Sequence, residues 1–186
     1  MTNLTNVKWD EFPARADPRD QVSKNFVFFE LTKSETAERH AIDNAFSGAT
    51  TAQAAVYLCR NVLQAVRDAF GSYSPNSVYR SQALERALKK KRKPWVSKSQ
   101  HAKGQACDIE IPGMSNIELA QWVTENLEFD QVILECFNAA KGPNSGWVHV
   151  SLKPPGKSTN RRQILSYVMS PTSGKYVYVD GLQESP

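Results

Sequence analysis

The chain has 186 residues, a formal net charge of +4 and 40% hydrophobic residues, which is typical of one globular domain with a sizeable core. No apolar run is long enough to cross a bilayer, and residues 1–24 lack the apolar stretch of a signal peptide. We therefore expect synthesis in a cytoplasm and no membrane insertion. The mild positive charge favours anionic partners such as cell wall or nucleic acid but selects neither.

Three cysteines, Cys59, Cys107 and Cys136, show no paired spacing. An odd count without a CxxC motif argues against a disulfide framework and against a thiolate zinc site. Because their neighbours are apolar, we expect all three to be buried free thiols.

The chain is expected to divide into a short arm and one domain. Residues 1–24 are polar and mixed in charge, and they are predicted to form a loose amino-terminal arm. The domain is predicted over 25–186, with a core at about 25–155 and a carboxy-terminal hairpin extension. That extension contains two β-like stretches, 164–169 and 176–179, which form either a hairpin or an addition to a sheet edge.

Apolar periodicity and capping residues predict three helices in the first half of the chain. Segment 34–44 is compatible with a short helix. Segment 51–70 is a stronger prediction, because its apolar residues fall on one helical face and Gly71 is placed to end it. Ser81 is expected to cap a further short helix, with Glu85 near the capping-box position.

A basic run, Lys-Lys-Lys-Arg-Lys, follows at 89–93. It could form a nucleic-acid patch or a solvated loop between two elements. Since no interleaved aromatic residues or repeated basic stripe support nucleic-acid binding, the solvated loop is preferred. A third interpretation is that the run attracts the protein to anionic envelope polymers.

The stretch 99–111 places two chemically distinctive side chains on either side of a short turn. His101 precedes the turn at Gly104, and Asp108 follows it. The residues after the turn alternate as a half-buried strand does, so Asp108 faces away from the apolar side chains that pack inward. Cys107 lies on that apolar face, and we reject it as a ligand or nucleophile.

Two further strands are predicted after a helix. Segment 129–136 alternates, with Glu135 on its less apolar face. Segment 147–152 alternates as well, with His149 on the face opposite its apolar residues. The small-residue loop 138–146 between them predicts a hairpin, which brings Glu135 close to the strand that carries His149.

His101, Asp108 and His149 are a candidate set of metal ligands. Two imidazoles and one carboxylate suit zinc and leave a fourth position for water, as in a catalytic rather than a structural zinc site. The alternative is that each histidine is an ordinary polar residue on a strand. That alternative must explain why two of the chain's three histidines lie on or beside polar strand faces, one of them next to a small-residue turn. The metal site is preferred on this spacing together with the family resemblance that the same residues carry.

Amide hydrolysis at such a site needs a base that takes a proton from water and delivers it to the leaving amine. Glu135 is the candidate; the alternative is a surface carboxylate paired with a lysine. Arg80 is the candidate cation for a developing oxyanion or a substrate carboxylate; the alternative is a surface arginine. Ser99, Gln105 and Trp147 are candidates for contacts with the substrate or with the ligands.

These motifs resemble the family of zinc peptidases that contains D-Ala-D-Ala carboxypeptidases and L-Ala-D-Glu endopeptidases, whose fold is shared with the hedgehog signalling domain. The likeness rests on Ser-x-His-x-x-Gly-x-Ala-x-Asp at 99–108 and on Trp-Val-His-Val-Ser at 147–151. Tyr-Arg-Ser at 79–81 resembles the family's arginine motif, and 129–135 resembles the strand that carries its catalytic glutamate in some branches. The similarity covers about 25–151 and is closest to short phage-encoded members.

The resemblance implies a single α+β domain in which a small antiparallel sheet carries the zinc site and helices flank the sheet. It also implies zinc as the cofactor, with His101, Asp108 and His149 as its ligands. Glu135 would be the base, and Arg80 would clamp the substrate or the transition state.

One position departs from the family pattern. Many members place the glutamate three residues before the second histidine, where this chain has Gly146. Either Glu135 acts from across the hairpin, or the base is absent. The hedgehog domain shows that this fold can keep the metal and serve as a binding module, so fold alone does not decide function.

The expected function is hydrolysis of peptidoglycan stem peptides by a monomeric zinc peptidase, either a phage endolysin or a virion-associated lysin. Such a protein would be made in the host cytoplasm and would act on the bacterial cell wall after release. The first alternative is a non-catalytic phage structural or wall-binding module that retains the metal site. The second is a nucleic-acid binder that uses the run 89–93; the preferred interpretation has no nucleic-acid partner.

Overall fold

Helices flank one five-stranded sheet in the computed structural model, which describes residues 1–156 and 158–186. The strands are β1 (Ala106–Ile109), β2 (Gln131–Glu135), β3 (Trp147–Ser151), β4 (Gln163–Met169) and β5 (Tyr176–Asp180). The α-helices are α1 (Glu35–Arg39), α2 (Ala49–Leu58), α3 (Gln64–Phe70), α4 (Gln82–Leu88) and α5 (Asn116–Asn126). The predicted α+β fold class is confirmed.

The strand order in the sheet is β1-β3-β2-β4-β5. β1 with β3, β2 with β3 and β4 with β5 pair antiparallel, whereas β2 and β4 pair in parallel. Among the described strands the predicted antiparallel arrangement therefore holds except for that pair. Because β3 and β4 run in opposite directions with β2 between them, the end of β3 and the start of β4 both lie beside the start of β2.

The two faces of the sheet differ in polarity, as side-chain alternation predicts. One face packs against α2 and α5. Its buried side chains include Cys107, Ile109, Val132, Leu134, Val148 and Val150. The opposite face carries Asp108, Glu135 and His149, and the register places Asp108 opposite His149 and Glu135 opposite Trp147. Packing of the apolar face thus determines which strand residues point towards the site.

The helix predicted over 51–70 is one continuous helical segment from residue 49 to residue 70. Its middle five residues, Cys59–Leu63, form a π-helical stretch between α2 and α3, which apolar periodicity does not reveal. Gly71 ends the helix with φ +83°, a conformation that glycine adopts without a steric penalty. No helix in the described ranges is long and apolar enough to cross a bilayer.

Residues 1–24 pack against the domain instead of forming the loose arm expected from their polarity. Phe12 is 1% exposed and lies in the core. The Arg60 guanidinium donates hydrogen bonds to three backbone carbonyls of the segment, those of Leu4, Val7 and Val22. Composition does not reveal this docking, because the anchoring groups are backbone carbonyls and one aromatic ring.

Helix α4 begins as predicted, but one of its residues has a different role. Ser81 caps it, since the Ser81 Oγ accepts a hydrogen bond from the Leu84 backbone N–H at 3.2 Å. The capping-box role of Glu85 is wrong. Its carboxylate is buried, accepts a hydrogen bond from Ser97 Oγ at 2.6 Å and pairs with Lys89 Nζ at 2.8 Å. Burial with these partners holds the side chain away from the start of the helix.

Three other local predictions can be compared with the structure. The basic run 89–93 is an exposed loop after α4. Helix α1 covers five residues of the segment 34–44.

Cys59 and Cys107 are buried free thiols, but Cys136 is only half-buried, so the prediction of burial is wrong for this residue. It follows the last residue of β2 and has a positive φ of 59°, which turns it out of the apolar face.

The carboxy-terminal stretch forms the predicted hairpin and extends the sheet. β4 and β5 pair antiparallel, and β4 adds the hairpin to β2. On the face that carries Glu135, this residue lies beside Tyr167 of β4, and Tyr167 in turn lies beside Tyr178 of β5. The face that contains the candidate ligands therefore continues as a row of tyrosines on the added strands.

Candidate metal centre and cleft

β1, β3 and the turn before β1 bring His101, Asp108 and His149 together. Asp108 and His149 lie opposite each other in the antiparallel β1–β3 pair. His101 begins a three-residue 3-10 turn that ends at Gly104, where φ is +70°. A β-carbon at Gly104 would lie 2.2 Å from the Thr51 carbonyl oxygen, so glycine allows the turn to pack against α2. All three candidate ligands are buried.

One atom of each side chain lies within hydrogen-bonding distance of the other two. Asp108 Oδ1 is 3.1 Å from His101 Nε2 and 3.0 Å from His149 Nδ1, and the two nitrogens are 3.2 Å apart. These separations are close to the edge of a tetrahedron around zinc, about 3.3 Å for bonds of roughly 2.0–2.1 Å. The three atoms therefore have the spacing of ligands that share one small cation.

The other nitrogen of each imidazole faces an oxygen acceptor, which fixes its proton. His101 Nδ1 lies 2.7 Å from the Val78 carbonyl oxygen, and His149 Nε2 lies 3.2 Å from Gln100 Oε1. Since these outer nitrogens donate, the inner nitrogens of both rings and Asp108 Oδ1 all present lone pairs to one another. Three facing acceptors repel one another, and a cation between them relieves that repulsion. The donor set thus fits a metal ion.

Burial and charge keep two of the ligands in the form that binds a metal. Burial lowers the pKa of His101, although Asp108 opposes this effect, so the neutral imidazole is favoured. Burial would raise the pKa of Asp108, but that pKa is held well below its usual range, because a proton or a positive charge on either neighbouring histidine would favour the ionised carboxylate. A neutral imidazole and an ionised carboxylate are the forms that coordinate a divalent cation.

Sequence reasoning misses Gln100 and Asp130, which extend the site behind His149. Gln100 Nε2 donates to Asp130 Oδ2 and to Ser151 Oγ, both at 2.8 Å, while Gln100 Oε1 faces His149 Nε2. The sequence gives one signal for this part of the site: Asp130 is an acidic residue directly before an apolar strand. Nothing in the sequence connects that residue with Gln100, which lies 30 positions earlier.

Asp130 is fully buried and is held by two cations from the connection between β3 and β4. Arg161 donates to Oδ2 through Nε at 3.1 Å and through a terminal nitrogen at 2.5 Å, and Lys153 Nζ lies 2.7 Å from Oδ1. Burial raises the pKa of a carboxyl group, but these hydrogen bonds prevail and lower the pKa of Asp130 to about 2. The carboxylate is therefore ionised throughout the neutral range.

We expect Asp130 to contribute stability that is lost in acid. Its folded pKa of about 2 lies below the unfolded value of about 3.9, so the contribution is complete above about pH 4 and disappears as pH falls through about 2. Asp130→Asn, which mimics the protonated form, should have a lower free energy of unfolding than the wild type near neutral pH. The difference should shrink as the pH falls from about 4 to about 2. Urea unfolding at several pH values measures the margin, and a constant margin would contradict the assignment.

Arg80 contacts the candidate ligand set directly. A terminal nitrogen of its guanidinium pairs with Asp108 Oδ2, the oxygen that does not face the histidines. Arg80 Nε donates to Ser77 Oγ at 2.8 Å, and Glu85 Oε1 lies 3.9 Å from the other terminal nitrogen. These contacts turn Asp108 Oδ1 towards the histidines. The guanidinium also lines the cleft, and its role as a clamp on the substrate stays a prediction.

An open cleft of about 690 Å³ leads to the three candidate ligands. The predicted residues Ser99, Gln105 and Trp147 line it, as do Glu135 and the exposed Tyr178 of β5. Among the residues that the structure describes, its basic lining residues are Arg80, Lys89, Lys98, Lys103, Lys153 and Arg161. Its acidic lining residues in the same ranges are Asp108, Asp130 and Glu135. Such an excess of positive charge attracts anionic groups.

Glu135 is the last residue of β2, on the face that carries the candidate ligands. It is diagonal to His149, because His149 pairs with Ile133 and Glu135 pairs with Trp147. Diagonal neighbours on a sheet are about 7–8 Å apart, which places Glu135 beside the ligand set but outside it. Burial raises the pKa of Glu135; His149 opposes this effect, and the negative charge of Asp108 adds to it. Its role as the base stays a prediction.

Gly146 occupies the position at which many members of the resembled family carry their glutamate. Its φ is +71°, and a β-carbon built on it would lie 1.9 Å from the Glu135 carbonyl oxygen. No side chain fits there in this hairpin. Of the acidic residues that line the cleft in the described ranges, Asp108 faces the histidines and Asp130 is held by cations. Glu135 is therefore the one that is available to act as a base.

Gly146→Ala should destabilise the hairpin between β2 and β3 by about 1–3 kcal/mol or more, because it adds a clash to the strain of a positive φ. Urea unfolding measures the loss. Gly113→Ala is the matched control, since Gly113 has φ +81° and open space around the added carbon. Gly113→Ala should lose only the free energy of unfolding that the strained positive φ costs. Equal losses in the two variants would contradict the clash at Gly146.

Comparison with known proteins adds the family. Residues 24–151, about two thirds of the chain, match the family described as Peptidase M15. No curated protein is significantly similar to the chain. Peptidases of this family are typically metal-dependent, which agrees with the buried cluster of two histidines and one aspartate. Lys153 and Arg161 lie beyond the matched residues. On this match, the chain belongs to the peptidase M15 family.

Proposed function

We propose that this protein is a zinc-dependent peptidase that hydrolyses the stem peptides of bacterial peptidoglycan. The observation that carries the proposal is the cluster of His101, Asp108 and His149. Their three facing atoms lie within 4.8 Å of one another, and all three side chains line an open cleft. Imidazole nitrogens with a carboxylate oxygen are the ligands of catalytic zinc sites in other peptidases, and the cleft gives a peptide access to them.

A zinc ion held by these residues would act as a Lewis acid that activates water and polarises the scissile carbonyl. Glu135 is proposed to take a proton from the attacking water and to pass it to the leaving amine. The water oxygen joins the carbonyl carbon, the C–N bond breaks, and the amine leaves with the proton that Glu135 carried. The raised pKa of Glu135 supports this role, because it increases the affinity of the carboxylate for a proton.

The charge of the cleft supports an acidic peptide as the substrate. Stem peptides carry free carboxylates, and Lys98 and Lys103 line the cleft as groups that could attract them. Arg80 is proposed to bind a substrate carboxylate or the developing oxyanion, for which a planar guanidinium is suited. The row of tyrosines on β4 and β5 lengthens the surface beside Glu135, as a polymeric substrate requires.

The biological setting is a further part of the proposal and is supported by the resemblance to short phage-encoded enzymes. The protein would be an endolysin or a virion-associated lysin that acts as a monomer. It would be made in the host cytoplasm and would reach the cell wall after release.

The test is to incubate purified sacculi with zinc-loaded protein and to analyse the stem peptides by mass spectrometry. We expect shortened or separated peptides, whose masses identify the cleaved bond, and no change after treatment with a chelator. Unchanged peptides in the zinc-loaded sample would defeat the proposal. Binding to sacculi without cleavage would instead favour a wall-binding module.

A further inference from the structure

The side-chain amide of Gln100 can face His149 with its oxygen or with its nitrogen, and the two choices have opposite effects on the metal site. With the oxygen towards His149, the ring proton lies on Nε2 and the Nδ1 lone pair is free for a metal. With the NH₂ group towards His149, Nε2 must accept and the proton moves to Nδ1. That nitrogen lies 3.0 Å from Asp108 Oδ1, so the misplaced proton would find an acceptor there. The second arrangement blocks the metal-binding lone pair.

Two neighbours of Gln100 select the first arrangement. Asp130 Oδ2 lies 2.8 Å from Gln100 Nε2, and an ionised carboxylate only accepts hydrogen bonds. Ser151 Oγ lies 2.8 Å from the same nitrogen, donates its own proton to the Gln131 carbonyl oxygen at 3.2 Å, and therefore accepts from Gln100. Both neighbours require the NH₂ group on their side. The oxygen of the amide must then face His149.

The selection depends on Asp130 staying ionised and fixed in position. Arg161 donates to the same carboxylate oxygen as Gln100, Lys153 pairs with the other oxygen, and the carboxylate is fully buried. Both cations come from the connection between β3 and β4, which follows the residues that match the peptidase M15 family. A part of the chain beyond that match is thereby linked to a candidate metal ligand.

We propose that Asp130 is a positioning residue that sets, through Gln100, the tautomer of His149 in which Nδ1 can bind the metal. This inference rests on the metal site of the proposed function and assigns roles to two residues outside it. Loss of an outer hydrogen-bond partner of a metal-bound histidine typically lowers metal affinity by about 10–100-fold. Asp130 acts one hydrogen bond further out, by excluding the competing tautomer.

Asp130→Asn tests the proposal, because an asparagine amide can donate as well as accept and so allows Gln100 to turn round. Imidazole ¹⁵N NMR spectra of the metal-free wild type at about pH 8.5 should show His149 protonated at Nε2. In the variant, a substantial fraction should be protonated at Nδ1. Zinc affinity, measured by competition with a chelating indicator, should fall by about 10–100-fold.

Asp68→Asn is the matched control, since it neutralises an exposed carboxylate whose side chain is 51% accessible. It should change neither the tautomer of His149 nor the zinc affinity. If Asp130→Asn does not fold, Gln100→Met provides the same test by removing the amide. The proposal is overturned if His149 in the wild type is protonated at Nδ1. It is also overturned if a folded variant keeps both the wild-type tautomer and the wild-type zinc affinity. Neither reading depends on hydrolysis, so an inactive wild type would count against the proposed function alone.

Discussion

Glu135→Gln should lower the rate of stem-peptide hydrolysis by about 10²–10⁴-fold and leave the zinc content unchanged. Glutamine keeps the size of glutamate but cannot carry a proton from water to the leaving amine. Because Glu135 is diagonal to His149 and lies outside the cluster of three ligands, the metal site should survive the substitution. Chromatography of a soluble stem peptide after incubation, together with metal analysis, measures the two effects.

A nearby glutamate provides the control for that experiment. Glu128 lies just before β2, its side chain is 77% exposed, and it pairs with Arg162 on the surface. Glu128→Gln should therefore keep both activity and zinc. If Glu135→Gln keeps its activity, another group is the base. If it loses zinc together with activity, Glu135 belongs to the metal site and not to proton transfer.

His101→Ala is expected to abolish zinc binding and hydrolysis together, because it removes one of three ligands and opens the turn before β1. At a free zinc concentration of about 100 times the dissociation constant, bound zinc should stabilise the wild type by about 2.7 kcal/mol. For a chain of this size, that corresponds to a rise of roughly 5–10 °C in melting temperature. The variant should melt at the same temperature with and without zinc.

Thermal melts with added zinc and with a chelator measure this difference. His40→Ala is the matched control, since His40 is exposed at the end of α1 and is not part of the cluster. It should retain the full response to zinc. A wild-type melting temperature that does not respond to zinc would contradict the metal site itself.

The parts of the site that were predictable depend on residues close together in the sequence. Alternation along β1 and β3 places Asp108 and His149 on the face opposite the apolar core, and the structure shows both there. The small-residue loop between β2 and β3 predicts the hairpin that brings Glu135 near His149. The turn at Gly104 lies where a residue without a side chain is required. Each of these inferences uses a local period or a local steric rule.

The parts that were not predictable depend on contacts between distant residues. Gln100 and Asp130 have unremarkable positions in the sequence, and their connection to His149 exists only after the sheet forms. Glu85 has almost the spacing of a capping residue, but burial beside Lys89 gives it a different partner. Periodicity shows which face a polar residue occupies, and it cannot show which other polar residue will meet it there.

A fragment trimmed after Ser151, where the family match ends, would retain all three proposed ligands and the proposed base. It would nevertheless lack Lys153 and Arg161, the two cations that compensate the buried charge of Asp130. A buried carboxylate that loses its partners is strongly destabilising, and Asp130 is also the residue to which Gln100 donates. The shortest working version of this protein is therefore longer than the region by which its family is recognised.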